Sequence, residues 1–338
     1  MERIACISGG TFIYWSSVIL TLAVVAAVAI FAALYLYKNG NLLAVAIAVP
    51  VAAVISAVLA RLIHWYCRAD SYPSMQSALA DYSWGGYALM GVFAGCILTA
   101  CLLRLLQISK NLPEMLDCMA VAGGFGIAVG RLASFFNSSD RGLIMPDGIG
   151  LPFAYPVTNA VSGVVENRLA TFMLQAIVTG AIVLGLLIYM VVCGCRKKKP
   201  KDGDIFWMFL AAYGGSQIVF DSTRYDSLFM RSNGFISIVQ ILGAVALVLA
   251  VIVFSVRMVK NGGLRFYHFL LWVGFVGLLG VAGYMEYYVQ RHGNQALFAY
   301  SVMGSCIAAA VILTLVIRYL AIRTGRTPAS AEDLANME

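Results

Sequence analysis

In GGFGIAVGRLASFFNSSDRG, residues 123–142, a hydrophobic helix pattern runs through Arg131 into a series of amides and hydroxyls. A cation at membrane depth costs roughly 2.5 kcal/mol or more on insertion scales, so such a residue usually has an anionic partner and a function. The alternative is an arginine at a helix end whose long side chain reaches the bulk headgroups. We predict a functional site around Arg131 that is enclosed by the rest of the chain.

The composition of the whole chain indicates a membrane protein. Of its 338 residues, 61% are hydrophobic and only 12% are charged. A soluble protein of this size needs a polar surface that these residues cannot supply, whereas about 20 apolar residues are enough for one helix to cross the hydrocarbon. We therefore predict an all-α fold, a polytopic membrane helix bundle.

Apolar segments along the chain predict about nine transmembrane helices. The expected spans lie near residues 12–37, 42–64, 86–104, 113–136, 169–195, 204–222, 235–256, 266–288 and 297–319. Prolines at positions 146, 152 and 156 exclude a continuous helix in the long loop 137–168. The domain organisation that we expect is a main domain over residues 1–256, two additional C-terminal helices over 257–320, and a polar cytoplasmic tail over 321–338.

The distribution of lysines predicts the orientation of these spans. All seven lysines fall in the loops on one side, together with Arg104, the cluster 196–201 and the loop 257–265. By the positive-inside rule that side is the cytoplasm, which places the loops 137–168 and 221–233 on the outer side. The cations of the outer side are arginines, whose planar fork matches phosphate oxygens. We therefore expect the outer side to bind a lipid headgroup.

Composition also argues against two other kinds of site. The sequence pI near 9.0 reflects the basic loops, so it indicates membrane orientation rather than nucleic-acid binding. The eight cysteines lie mostly inside the apolar runs and form no CxxC pair, so we predict neither a disulfide framework nor a zinc site.

Several blocks of the sequence, in order along the chain, resemble the prolipoprotein diacylglyceryl transferase family. The segment around Arg131, GRLASFFN (130–137), is similar to the signature of that family. The other blocks are ARL (60–62), GGYALMG (85–91), AAYGGSQIVFDSTRYD (211–226) and Gln240, which fits the glutamine that opens the last helix of the family. The resemblance covers about residues 12–256, and it implies that residues 1–256 form a transferase-like transmembrane domain.

The resemblance implies a function at the outer side of the bacterial cytoplasmic membrane. Family members transfer the diacylglyceryl group of phosphatidylglycerol onto the thiol of a lipobox cysteine and release glycerol phosphate. The implied partners are phosphatidylglycerol, the signal-peptide and lipobox segment of a prolipoprotein, and membrane lipid. No cofactor, metal ion or nucleic acid is implied.

Substrate-binding residues follow from the matched blocks. By resemblance, Arg131 corresponds to the arginine that binds phosphatidylglycerol in the family. Ser134 and Asn137 are candidates to hydrogen-bond the glycerol or phosphate oxygens, or else they satisfy the carbonyls of their own helix end. Asp221 and Arg224 are three residues apart and either form an ion pair that orients a loop or supply, through Arg224, a second phosphate contact.

Three departures from the family pattern bear on catalysis. Met90 stands where the family has a histidine, and a thioether cannot accept a proton. Gln217 stands where the family has an arginine in the sixth span. The glutamate of the family signature falls near Ser139, with Asp140 one step away. These replacements predict weakened catalysis and leave the general base to be found elsewhere.

His64 is the candidate catalytic base, because it is the histidine that lies on the expected outer side next to a matched block. His292 falls in the last outer loop and His268 on the cytoplasmic side. The alternative is that His64 is an interface residue without a catalytic role. A cysteine thiol is already a few per cent thiolate at neutral pH, so an enzyme without a base would be slow rather than inactive.

A second hypothesis of another class stays open at this point. Because Met90 and Gln217 replace two side chains that the family uses, the chain is alternatively a non-catalytic membrane paralogue that binds anionic phospholipid or immature lipoprotein. A transporter has little support, because the sequence has no detectable inverted repeat and its ionisable residues cluster at one face.

Overall fold

The computed structural model describes residues 4–8, 11–80, 86–137, 139–146, 148–159, 162–195, 200–230, 233–292 and 295–324. Gly85 of the GGYALMG block, residues 196–199 of the basic cluster and the tail from 325 lie outside this part. The described chain is predominantly helical. Its α-helices are α1 Trp15–Tyr37, α2 Leu42–Cys67, α3 Met75–Ala80, α4 Leu89–Leu105, α5 Leu112–Arg131, α6 Thr171–Cys195, α7 Asp204–Thr223, α8 Ile238–Gly262, α9 Phe266–His292 and α10 Ala296–Thr324.

The predicted all-α polytopic membrane bundle is confirmed. Among the described helices, 7 are long and apolar enough to cross a membrane, namely α1, α2, α5 with the turn that follows it, α6, α8, α9 and α10. α4 is apolar but has only 17 residues, and α7 has 20 residues but is not among the seven. Each of the nine predicted spans is therefore present as a helix, and α10 continues to Thr324, past the expected start of the tail.

The described residues also form short antiparallel β-hairpins. They pair β1 Ile4–Ser8 with β2 Thr11–Tyr14, β3 Ala154–Thr158 with β4 Val165–Leu169, and β5 Phe229–Met230 with β6 Asn233–Ser237. The predicted first and seventh spans began near residues 12 and 235, and both starts were wrong by three residues. The strand residues there are rich in aromatic and β-branched side chains, which favour extended backbone and are as apolar as the helices that follow.

Glycines bring α4 into backbone contact with α2. A Cβ atom at Gly91 would overlap the backbone N and Cα atoms of Ala60, and one at Gly95 would lie 2.6 Å from the Cα of Ser56. The Ser56 hydroxyl donates across the same contact to the Val92 carbonyl at 3.3 Å. Gly91 and Gly95 have the GxxxG spacing, and helices in lipid associate closely where such small residues meet.

α5 is held to its neighbours at both of its ends. Gly126 and Gly130 face α1, and a Cβ atom at Gly126 would lie 2.9 Å from the Cβ of Ala27. Near the start of α5, the buried Asp117 accepts backbone hydrogen bonds from Gly203 at 2.9 Å and from Phe206 at 2.8 Å. This carboxylate caps the first turn of α7, where a helix leaves unpaired N–H groups. The two helices are therefore fixed in register.

The chain divides into two compact units, residues 1–243 and residues 244–338, with the division inside α8. In the second unit, Trp272 Nε1 donates to the Ser255 hydroxyl at 2.9 Å, and Asn261 Nδ2 donates to the Ala321 carbonyl at 2.8 Å. These bonds tie α8, α9 and α10 to one another. The expectation that residues 257–320 are an addition to a main domain stays a prediction.

The α2–α4 contact predicts an unusual response to a glycine substitution. Alanine is favoured over glycine in a helix by about 1 kcal/mol, yet Gly91→Ala should lower the free energy of unfolding by about 2 kcal/mol because its methyl group has no space. Denaturation in detergent micelles measures this change. The matched control is Gly185→Ala in α6, whose added Cβ meets nothing within 4 Å. A Gly91→Ala protein as stable as this control would contradict the packing.

Candidate active site

The site begins where α5 ends. Arg131 is the last residue of α5, and a 3₁₀ turn over Leu132–Phe135 continues the chain into a loop. Arg131 Nη1 donates to Asp140 Oδ1 at 2.7 Å, and the Ser134 hydroxyl donates to Asp140 Oδ2 at 2.9 Å. Asp140 adopts a left-handed backbone with φ of 56°, which aspartate tolerates better than most residues. The predicted anionic partner of Arg131 is therefore Asp140.

A second arginine shares the same carboxylate. Arg224, the residue that follows α7, places Nη2 2.9 Å from Asp140 Oδ1 and Nε 2.9 Å from Asp226 Oδ1. Its Nη1 lies 3.4 Å from Asp221 Oδ1, so the i, i+3 ion pair considered from the sequence is present. Asp226 also accepts a hydrogen bond from the Asp140 backbone N–H at 3.0 Å. Two guanidinium groups thus contact Asp140. We call Arg131, Asp140, Asp221, Arg224 and Asp226 the arginine–aspartate cluster.

Asp140 and Arg224 keep their charges at neutral pH. Burial alone would raise the pKa of the Asp140 carboxyl, but the positive charges of Arg131 and Arg224 outweigh burial and hold that pKa at about 2. Burial likewise acts to lower the pKa of Arg224, whereas the charges of Asp140, Asp226 and Asp221 raise it above its usual range.

Among the described residues, no group of three or more histidine, cysteine, aspartate or glutamate side chains could hold a metal ion.

A cavity of about 480 Å³ opens beside the cluster. Four of the predicted site residues, His64, Arg131, Asp221 and Arg224, line it together with Met90 and Gln217. They come from α2, α4, α5 and α7, so the ends of these helices converge on one space. Such a concave site with a few convergent polar groups is the usual form of a binding pocket.

Two predicted site residues lie outside the cavity wall. Ser134 is only 4% exposed and stands behind Asp140, to which it donates its hydrogen bond. Asn137 is exposed, and its side-chain oxygen accepts a hydrogen bond from the Ser139 backbone N–H at 3.0 Å. Both residues make local hydrogen bonds, but neither bond is to a carbonyl of the helix end, and their contact with a substrate stays a prediction.

Gln217 has an uncharged partner. Gln175 Nε2 donates to Gln217 Oε1 at 3.1 Å, and both side chains are buried. A single amide–amide hydrogen bond joins two neutral side chains here, whereas a buried cation at this position would need a carboxylate. Gln217 is therefore bound by Gln175, and it places no positive charge at this position of the cavity wall.

One buried cation was missed by the sequence reasoning. Arg141 is 1% exposed, and its Nη2 donates to the carbonyls of Ser134 at 2.6 Å and of Asn137 at 3.0 Å. Its Cζ lies 4.6 Å from the ring centroid of Tyr155 and 4.3 Å from that of Phe172. Arg141 thereby closes the loop that presents Asp140. Only its place in the polar run after Arg131 hinted at this role.

The cluster predicts a specific acid sensitivity. Removing one partner of a buried ion pair costs about 3–5 kcal/mol, so Asp140→Asn should lower the free energy of unfolding by about 3 kcal/mol at pH 7. Because the pKa of Asp140 falls from the ordinary 3.8 to about 2 on folding, its stabilisation is present above pH 4 and is lost as the pH falls toward 2. Denaturation in micelles between pH 7 and pH 2 measures both effects.

The control for this prediction is Asp70→Asn, which changes an exposed aspartate. The parent protein and this control should lose stability with the same steepness between pH 4 and pH 2, and Asp140→Asn should lose less. Equal acid dependence in all three proteins would contradict the assignment of the shared carboxylate.

Comparison with known proteins relates the chain to the following family and relatives. A profile described as prolipoprotein diacylglyceryl transferase matches residues 3–257, a range that includes every described residue named here as lining the cavity. Phosphatidylglycerol–prolipoprotein diacylglyceryl transferase of Finegoldia magna is 26% identical over 256 residues, which is 73% of this chain and 94% of the relative. The Oceanobacillus iheyensis protein of that name is 24% identical over 264 residues, 74% of this chain and 88% of the relative. Its Streptococcus pyogenes namesake is 28% identical over 188 residues, 54% of this chain and 66% of the relative. The chain therefore belongs to the prolipoprotein diacylglyceryl transferase family.

Proposed function

We propose that this protein transfers the diacylglyceryl group of phosphatidylglycerol to the lipobox cysteine of a prolipoprotein, in the cavity beside the arginine–aspartate cluster. The observation that carries the proposal is the meeting of Arg131 and Arg224 on one carboxylate at the wall of that cavity. The site would face the outer side of the bacterial cytoplasmic membrane. Residues 1–256 would form the transferase domain, and the helices of 257–320 would be an addition to it.

Arg131 and Arg224 would bind the phosphate of the donor lipid. Each guanidinium group carries five N–H donors in a fixed fork. Asp140 contacts one nitrogen of Arg131, and three carboxylates contact the three nitrogens of Arg224, which leaves N–H donors on the terminal nitrogens of both groups. Because Asp140 holds both groups in place, little reorganisation is needed when a phosphate arrives. Donors that are fixed in a site with little water stabilise developing negative charge strongly.

The reaction exchanges one bond for another at the glyceryl carbon. The cysteine sulfur forms a C–S bond to the carbon that carries the phosphate, the C–O bond to the phosphate breaks, and glycerol phosphate leaves. The leaving phosphate gains negative charge next to Arg131 and Arg224, which therefore bind the transition state better than the intact lipid. The thiol proton must be removed, because the thiolate is the nucleophile.

His64 would accept that proton. It lines the same cavity as Met90, which stands at the family's histidine position and cannot accept a proton. A positioned base is worth roughly 10²–10⁴ in rate, so a histidine supplied by another helix recovers most of what Met90 removes. The proton can pass to the released phosphate, which leaves as a monoester.

A second candidate function is binding without turnover. Met90 and Gln217, the two uncharged replacements, both line the cavity, and Gln217 accepts a hydrogen bond from Gln175. In this case Arg131 and Arg224 would bind an anionic phospholipid or an immature lipoprotein, but no thiol would react. The two candidates share the lipid site and differ only in chemistry.

A transfer assay tests the proposal. Nanodiscs with phosphatidylglycerol and a lipobox peptide should yield diacylglyceryl peptide, detected by mass spectrometry. Arg131→Gln should lower kcat/KM by about 10²-fold or more, because a charge-stabilising donor is lost. The matched control is Arg104→Gln, an exposed arginine at the other end of α4 from Met90, which should keep the parent rate.

The outcomes separate the two candidates. A rate equal to that of empty nanodiscs would remove the enzymatic proposal, and phosphatidylglycerol binding that disappears in Arg131→Gln would then support the binding protein. Met90→His, which restores the family's side chain, adds a further distinction, because its activity in an otherwise inactive chain would show a decayed catalytic site. Full lipid binding by Arg131→Gln would contradict both candidates.

A further inference from the structure

The imidazole of His64 is enclosed by two neighbours on the segment that follows α2. Tyr72 Oη lies 2.8 Å from His64 Nδ1, and the two rings meet edge to face with centroids 5.8 Å apart. On another side lies Gly86, which has φ of +88° and whose Cβ, if it had one, would stand 2.6 Å from His64 Nε2. Glycine suits this position for two reasons: it adopts the left-handed backbone without strain, and it has no Cβ atom that would overlap the imidazole ring.

A buried arginine fixes both of these neighbours. Arg61 lies three residues before His64 on α2 and is 2% exposed. Its Nη1 donates to the Gly86 carbonyl at 2.8 Å and to Tyr72 Oη at 3.4 Å. Its Cζ also lies 5.6 Å from the ring centroid of Tyr72 and 5.0 Å from that of Tyr87, within cation–π range. One guanidinium group thus orders both surfaces that confine the imidazole.

We propose that Arg61 and Tyr72 are positioning residues for His64, which fix the orientation of its ring and select Nε2 as the nitrogen that faces the reacting thiol. The inference rests on the proposed function, because it takes His64 as the proton acceptor. For Nε2 to accept a proton, the neutral ring must carry its hydrogen on Nδ1. Nδ1–H then donates to Tyr72 Oη.

The hydrogen bonds around Tyr72 Oη are compatible with that tautomer. A phenol oxygen has two lone pairs, so it can accept from Nδ1–H of His64 and from Arg61, which can only donate. When the thiol S–H bond breaks and its proton moves to Nε2, Nδ1–H keeps the same acceptor. The ring therefore stays in place through the step in which the C–S bond forms and the C–O bond breaks.

Arg61 and His64 lie on α2, and Tyr72 lies on the segment that follows it. Met90 lies on α4, so the proton acceptor would be provided from a different helix than the family's histidine position. If Tyr72 only packs the segment against α2, its ring is sufficient and its hydroxyl is dispensable. If Tyr72 positions His64, loss of its hydroxyl lowers kcat, and it does so only in a protein that retains His64.

A double-mutant cycle tests this distinction in the transfer assay. Tyr72→Phe retains the ring and removes only the oxygen, and it should lower kcat about 10-fold while leaving KM for phosphatidylglycerol within about twofold. In a His64→Gln background, which should itself lose roughly 10²–10⁴ in kcat, Tyr72→Phe should cause no further loss. The matched control is Tyr66→Phe, an exposed tyrosine two residues after His64, with parent kinetics.

The results that would overturn the inference are an unchanged kcat in Tyr72→Phe or an equal loss with and without His64. A parent protein without transfer activity would instead refute the proposed function. Nitrogen-15 NMR then tests the positioning alone, since the chain has only 3 histidines, His64, His268 and His292. Tyr72→Phe should shift the Nδ1 resonance of His64 and leave the other two unchanged. No shift at His64 would refute the positioning role.

Discussion

The interaction on which the site depends is the sharing of the Asp140 carboxylate by Arg131 and Arg224. Their side chains are only 15% and 13% exposed, so neither cation could be held at this depth without a counter-charge. Asp140 supplies it to both with one oxygen, and Ser134 holds the other oxygen. The arrangement keeps two guanidinium groups close together despite their mutual repulsion, which is what a phosphate-binding site requires.

The surrounding fold can be understood as the means of keeping these two arginines in register. Arg131 ends α5 and Arg224 follows α7, and Asp117 near the start of α5 caps the start of α7. The same two helices are therefore joined at both ends, by a helix cap at one and by the shared carboxylate at the other. Arg141 adds a third restraint by closing the loop that carries Asp140. A displacement of either helix would separate the two guanidinium groups.

Much of this architecture could be predicted from the sequence, because membrane helices follow from hydrophobic length and Arg131 is conspicuous within an apolar run. The small-residue contact at Gly91 and Gly95 was also readable from spacing. Helix starts near residues 12 and 235 were misjudged, since an apolar strand and an apolar helix look alike in hydropathy. Nothing in the local pattern could show that Arg141 is buried, because Tyr155 and Phe172, which cover its guanidinium, lie far along the chain.

Partners of the site residues were the hardest part to foresee. Asp140 was noted only as a neighbour of the family's glutamate position, and Asp226 only as the last residue of the block 211–226. Both form ion pairs with Arg224. His64 was singled out by its side of the membrane, whereas its contacts with Tyr72 and Gly86 depend on how the segment after α2 folds back. Such long-range pairings are set by tertiary packing and leave no periodic trace in the sequence.

Cryo-electron microscopy of the protein in nanodiscs that contain phosphatidylglycerol would show directly where the lipid phosphate binds. The account predicts a lipid phosphate within about 3 Å of guanidinium nitrogens of both Arg131 and Arg224, with Asp140 still between them and the glyceryl carbon open to the cavity. A headgroup bound away from these two arginines, or an Arg131 side chain directed into the acyl chains, would contradict it.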